Sequence, residues 1–209
     1  MSTPRRKGGR MRAGGSFWLL IALACIVSPM EVVAAVLSAA ALHELGHLAA
    51  LRHYGVTVRS FRLTAFGAEL DAPKLALLSY GRELVVTLAG VAVNLLSTCF
   101  LAALGLWFRW EWPFIFAGAH LLLAAFNLLP ILPLDGARAL RLITAYFFGP
   151  IVADTVCASI SVAGALALCA LGLRLSLRLH SGALFVFAAF GLLWRTLRQL
   201  GLANGGKKV

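Results

Sequence analysis

The sequence predicts an all-α polytopic membrane protein of about six transmembrane helices, with a small membrane-surface β-hairpin. Three observations carry that expectation. Hydrophobic residues fill 61% of the 209 positions and the mean hydropathy is +0.89, values that do not describe a water-soluble surface. Only 13% of residues are charged, and most of them fall between long apolar runs, as loops fall between spans. The third observation is the stretch Ala39 to Leu51, AAALHELGHLAAL, which sets two histidines and a glutamate into an otherwise apolar helix.

The net charge of +11 comes from 19 Lys and Arg against 8 Asp and Glu. Because the excess lies mostly outside the apolar runs it reads as membrane topology, and no nucleic-acid partner is expected. Cys25, Cys99, Cys157 and Cys169 all lie inside apolar runs and form no C-x-x-C pair. They are expected to be small buried apolar residues.

Residues 1–16 hold Arg5, Arg6, Lys7, Arg10 and Arg12 among glycines, a basic cytosolic tail expected to lie against anionic lipid. Residues 17–198 are expected to form the six-helix membrane core, and 199–209 a second short basic tail with Lys207 and Lys208. The first helix, Ser16 to Pro29, is short for a bilayer of about 30 Å. It lacks an obvious cleavage site, so it reads as an uncleaved span rather than a signal peptide.

The second span, Glu31 to Leu51, carries the histidines in its last third, and Arg52, His53 and Tyr54 mark the water interface. Val56 to Ala72 changes period: Val58, Ser60 and Arg62 alternate with Arg59, Phe61 and Leu63 before Gly67 opens a second short run. Alternation of this kind predicts the hairpin. A third span, Leu84 to Phe108, contains Gly90 and Asn94, and Trp107, Trp110 and Trp112 follow as an interfacial belt.

The fourth span, Phe114 to Leu129, runs into LLPILPLDGARAL, where Pro130 and Pro133 stop regular helix. Broken backbone at membrane depth is tolerated only where protein or a wet cavity covers it, which makes this a second functional region. Ile151 to Leu173 and Ala183 to Leu197 close the core and read as scaffold. With six spans, all Lys and Arg except Arg109, Arg174 and Arg178 fall on one side. Both termini are therefore expected in the cytosol.

An ionised side chain at the centre of a membrane helix costs about 2.5–3.5 kcal/mol, so His43, Glu44 and His47 invite a chemical reading. His43 and His47 are four residues apart and share one helix face, where two imidazoles can converge on one metal ion. Glu44 lies about 100° round the helix, placed to take a proton from a bound water without being a ligand. A catalytic zinc site wants a third protein ligand. Asp135 is the best candidate, since its interrupted helix lies on the same expected side as the end of the histidine helix. Glu69 and Asp71 sit on the hairpin, Glu31 and Glu111 lie towards the far side, and Glu83 and Asp154 flank helix starts. His120 is a lone histidine, expected to be a hydrogen-bonded core or lipid-facing residue. Asn94 fits either an oxyanion donor or a helix-to-helix hydrogen bond.

HELGH at His43 to His47 and NLLPILPLDG at Asn127 to Gly136 together resemble the site-2 protease family of intramembrane zinc metalloproteases. The compact layout resembles that family's stage IV sporulation protein FB branch, and the likeness runs from about Phe17 to Leu197. AGVAVN, Ala89 to Asn94, resembles the family's third conserved region, with Val91 at a common proline and Ala137 at a common glycine. The resemblance implies one Zn2+ on His43, His47 and Asp135, Glu44 as the catalytic glutamate, Asn94 at the family's asparagine, and a hairpin that receives substrate. It also implies a membrane-tethered protein substrate in a bacterial cell or forespore membrane: a sigma-factor precursor in the sporulation branch, or else an anti-sigma factor or a signal-peptide remnant. No PDZ or nucleotide-sensing domain is recognised, so regulation is expected from membrane-protein partners. The rival reading is a membrane metal transporter or sensor on the same His/His/Asp set. A haem-binding electron carrier using His43 or His47 with His120 is a third.

Overall fold

The computed structural model describes residues 10–58, 60–64, 67–72, 75–179 and 183–201. The outer parts of both basic tails, with Lys207 and Lys208, lie outside the described residues, as do Arg59, Ala65 and Phe66 of the expected hairpin. Seven α-helices and three short strands make up the described chain, in two compact units, Met1–Ala124 and Ala125–Val209.

The first unit opens with β1 (Arg10–Ala13), α1 (Gly15–Val27) and α2 (Met30–His53). β2 (Ser60–Thr64) and β3 (Gly67–Asp71) follow, then a 3-10 turn at Leu75–Leu77, α3 (Tyr80–Phe108) and α4 (Trp112–Asn127), whose last turn crosses into the second unit. β2 and β3 pair antiparallel in the region where alternation predicts strands, with Ser60 opposite Asp71 and Thr64 opposite Gly67. The inner end of the basic tail departs from expectation. Arg10–Ala13 pairs parallel with Ser60–Leu63, giving a sheet of order β1-β2-β3. A parallel pair needs a long crossover, and α1 and α2 supply it. Leu51, Val56 and Val86 form a small core where α2, the chain after it and α3 meet.

The second unit contains α5 (Asp135–Phe148), α6 (Pro150–Leu179) and α7 (Ala183–Gln199). α5 is a helix the sequence reading does not name. It is amphipathic, burying Gly136, Ala137, Ala139, Leu142 and Ala145 while Tyr146, Phe147 and Phe148 stay exposed. At 14 residues it is about 21 Å long, shorter than a bilayer core.

Three helices, α2, α3 and α6, are long and apolar enough to cross a membrane, and α4 is a shorter apolar helix. Their large exposed residues, such as Leu96, Phe100, Leu106 and Ile151, are what a lipid-facing surface carries. The same surface accounts for the cysteines, which are not uniformly buried. Cys157 is enclosed and donates to the Ala137 carbonyl at 3.4 Å, whereas Cys25 and Cys99 are exposed.

The loop between α4 and α5 has its peptide groups satisfied by the two helices expected to be plain scaffold. The Leu132 N–H donates to the Ser161 hydroxyl at 3.1 Å, and that hydroxyl donates to the Pro130 carbonyl at 3.4 Å. The Thr196 hydroxyl donates to the Leu132 carbonyl at 2.6 Å and shares its proton with the Leu192 carbonyl at 2.9 Å. Ser161 and Thr196 are both fully buried. Ile131 enters the core of Ala165 and Leu192, and a Cβ at Gly164 would come within 2.9 Å of it.

Thr196→Val keeps the shape and removes the donor, stranding the half-buried Leu132 carbonyl. Such an orphan costs about 1–3 kcal/mol. Thermal unfolding in detergent is expected to show a lower midpoint for Thr196→Val, and a smaller loss for Thr196→Ser.

Candidate metal centre

α2 and α3 touch backbone to backbone, and glycine makes this contact. A Cβ at Gly46 would lie 2.7 Å from the Ala89 carbonyl oxygen and 3.0 Å from the Gly90 Cα. A Cβ at Gly90 would lie 2.5 Å from His47 Nε2 and 2.8 Å from His43 Cε1. The two imidazoles therefore occupy the space that a side chain at position 90 would take. Val86, Thr87, Gly90, Val91 and Asn94 form the buried face of α3, at the spacing of one helical stripe.

His43 and His47 are 5% and 8% exposed, and their Nε2 atoms lie 3.1 Å apart with the rings nearly perpendicular. Two nitrogens on one tetrahedral ion at about 2.0–2.1 Å would stand about 3.3 Å apart, so the pair fits a shared metal. His47 Nδ1 donates to the Val86 carbonyl at 2.8 Å. This bond puts the ring's proton on Nδ1 and leaves the Nε2 lone pair facing His43, the arrangement a metal-binding imidazole needs.

Asn94 is 0% exposed, and both ends of its amide are engaged. Its Nδ2 lies 3.4 Å from His43 Nδ1, and its Oδ1 accepts from His120 Nδ1 at 3.0 Å. The amide thus makes the helix-to-helix hydrogen bonds that were one of its two expected roles. His120, expected to stand alone, is 1% exposed and belongs to the same cluster. The signal for it in the sequence is the pair itself, two polar residues in separate apolar helices that each need a partner.

Glu44 is half-buried, one position on from His43 in α2. In the second unit Asp135 is the first residue of α5, half-buried and just inside the helix N-terminus, where the dipole favours a carboxylate. Gly136 fixes the local path, because a Cβ there would run into the Leu128 carbonyl. Thr87 is buried, and its hydroxyl has no hydrogen-bond partner among the described residues.

Gly90→Ala adds a methyl group against the metal-facing edges of His43 and His47. Overpacking of this kind costs about 1–3 kcal/mol. Metal affinity is expected to fall roughly 10–100-fold while helix content by circular dichroism is unchanged, whereas Gly81→Ala, with open space around its Cβ, leaves affinity as it is.

No protein-family model matches the chain. It is 29% identical over 155 residues to a zinc metalloprotease of Methanocaldococcus jannaschii, covering 72% of this chain and 44% of that protein. It is 33% identical over 144 residues to Rip3 of Mycobacterium tuberculosis, a zinc metalloprotease by name, covering 60% of this chain and 32% of Rip3. The chain thus spans less than half the length of these curated relatives. The solved site-2 protease from Methanocaldococcus jannaschii matches with a TM-score of 0.68 at 23% identity, over 94% of this chain and 93% of that one. The chain is therefore similar in sequence to proteins named zinc metalloproteases, and its fold is that of a site-2 protease.

Proposed function

We propose that this chain is an intramembrane zinc metalloendopeptidase that cleaves membrane-tethered proteins near the cytosolic face, in regulated intramembrane proteolysis. The observation that carries the reading is the pair of Nε2 atoms 3.1 Å apart in an apolar helix, with Glu44 beside them. His43, His47 and Asp135 would hold one Zn2+. Two imidazoles and a carboxylate are the donor set of many hydrolytic zinc sites.

When bound, zinc supplies a Lewis acid that acidifies the attacking water and polarises the scissile carbonyl. Glu44 takes the proton from that water and delivers it to the leaving nitrogen. Asn94 acts in this reading through His43, which its amide touches, rather than as the oxyanion donor that was its other expected role.

A transmembrane substrate hides its amides in its own helix, so it must be unwound and held extended. β2 is paired on both sides, which leaves β1 or β3 as the strand a substrate can pair with along an edge. In this reading α1, α2, α3, α4, α6 and α7 are six spans, both termini are cytosolic, and regulatory membrane proteins control access. The resemblance to the stage IV sporulation protein FB-like branch suggests a sigma-factor precursor as substrate in a bacterial cell or forespore membrane, with an anti-sigma factor or a signal-peptide remnant as the alternatives.

The test is zinc content and cleavage, measured side by side on detergent-purified wild type and Glu44→Gln with a panel of membrane-tethered substrates. Both proteins are expected to hold one zinc, with cleavage reduced about 10²–10⁴-fold in the variant. Asp135→Leu is expected to lose zinc. Full cleavage by zinc-loaded Glu44→Gln would overturn the reading, and zinc flux in proteoliposomes that Glu44→Gln does not diminish would replace it with transport.

A further inference from the structure

α5 and α6 meet at a one-residue corner, Gly149, whose φ of 84° favours glycine, and from there they run antiparallel. Their contacts descend in steps. The Arg141 Nε–H donates to Asp154 Oδ1 at 2.6 Å, the Cys157 thiol to the Ala137 carbonyl at 3.4 Å, and the Leu132 N–H to the Ser161 hydroxyl at 3.1 Å. The ion pair faces outward, with side chains 47% and 59% exposed, so it belongs at a headgroup or water boundary and not in hydrocarbon. Below it, the 19 residues from Thr155 to Leu173 carry no charge, and they make about 28 Å of helix, close to the thickness of a bilayer core, before Arg174. Asp154 therefore marks one edge of the hydrocarbon. Beyond that edge stand Tyr146, Phe147, Phe148 and Ile151, large apolar residues 69% to 82% exposed.

We propose that this corner is a membrane-interface anchor, seated among the headgroups and upper acyl chains of the leaflet that the start of α6 enters, and that it fixes how deep the α4–α5 loop lies. Successive helical residues point about 100° apart, so Tyr146, Phe147 and Phe148 fan round the end of α5, with neighbouring ring centroids 5.0 and 6.4 Å apart. One docked protein face would leave part of such a fan in water, whereas a lipid interface surrounds it. Aromatic rings collect at headgroup level, and the fan continues the exposed apolar surface that α6 carries at Ile160, Leu166 and Leu171. The depth of the loop follows from the same contacts. Cys157 and Ser161 lie three and seven residues past Asp154, about 4 and 10 Å down α6. The backbone at Leu132 therefore sits about 10 Å inside the hydrocarbon, and the corner holds it there. This seating requires α6 to cross a bilayer and requires no metal.

The test is fluorescence depth of the full chain in proteoliposomes whose lipids are brominated at shallow, middle or deep acyl positions. Phe148→Trp and Leu166→Trp are each compared with wild type, whose own tryptophan signal is subtracted; Leu166 is exposed and lies near the middle of the uncharged run. Phe148→Trp is expected to be quenched most by shallow bromines and Leu166→Trp most by deep ones. Tyr146→Trp repeats the corner measurement should Phe148→Trp fail to fold. Replacing Tyr146, Phe147 and Phe148 together by serine in the Leu166→Trp chain is expected to shift its strongest quenching away from the deep position. Quenching of Phe148→Trp by aqueous acrylamide, with none by brominated lipid, places the corner in water and overturns the proposal in favour of a protein partner or a second copy. Strongest quenching by deep bromines buries the corner in hydrocarbon and overturns it as well. An unmoved Leu166→Trp signal in the serine-substituted chain overturns the depth-setting role alone. None of these readouts involves zinc, so failure of the metal reading leaves each outcome as it stands.

Discussion

Two imidazoles buried in an apolar helix are tolerable only if each ring nitrogen has a partner, and the first unit is built around meeting that demand. A helix cannot supply those partners from its own backbone, whose donors and acceptors are already committed. α3 supplies them, through the second lone pair of the Val86 carbonyl and through the Asn94 amide. For either to reach the rings the helix axes must come close. Gly46 and Gly90 permit it, since any Cβ at these positions would overlap backbone or imidazole. The small residues, the amide and the carbonyl form one arrangement, and losing any of them leaves a buried nitrogen unsatisfied.

The second unit solves the same problem for peptide groups instead of rings. Pro130 and Pro133 interrupt helical hydrogen bonding and expose main-chain polar atoms among apolar neighbours. Ser161 and Thr196 come from α6 and α7 and answer the atoms of Pro130 and Leu132. The loop's Leu132 N–H and its Pro130 and Leu132 carbonyls thereby find partners outside a helix. It delivers Asp135 at the start of α5, and Gly136 lets the chain pass close to Leu128. Two of the polar side chains of these largely apolar helices thus lie where the broken backbone needs them.

What could be read from the sequence was whatever depends on local periodicity. His43, Glu44 and His47 share a helix turn, and their relation follows from 3.6 residues per turn alone. The apolar runs predicted α1 to α4, α6 and α7 to within a few residues at most ends, since burial in lipid needs only length and composition. The strand β1 escaped because Arg10–Ala13 has no pattern of its own; it is a strand by virtue of pairing with Ser60–Leu63. α5 is less legible because Pro130 and Pro133 break the helical pattern just before its amphipathic stripe begins after Gly136.

By itself, then, the sequence determined the apolar helices, the two histidines that share one helix face and their neighbouring carboxylate, because each is written in local composition or within one or two turns of chain. Only the tertiary structure decided which partners complete them. Asn94 and His120 are 26 residues apart in separate helices, and nothing local distinguishes a paired amide from one free to meet substrate. Hydrogen bonds between helices depend on how closely and at what rotation the helices pack. That is set by how α4 lies against α3 and α2 against α3, the latter with Gly46 and Gly90 at the close approach, and no short stretch of sequence contains it.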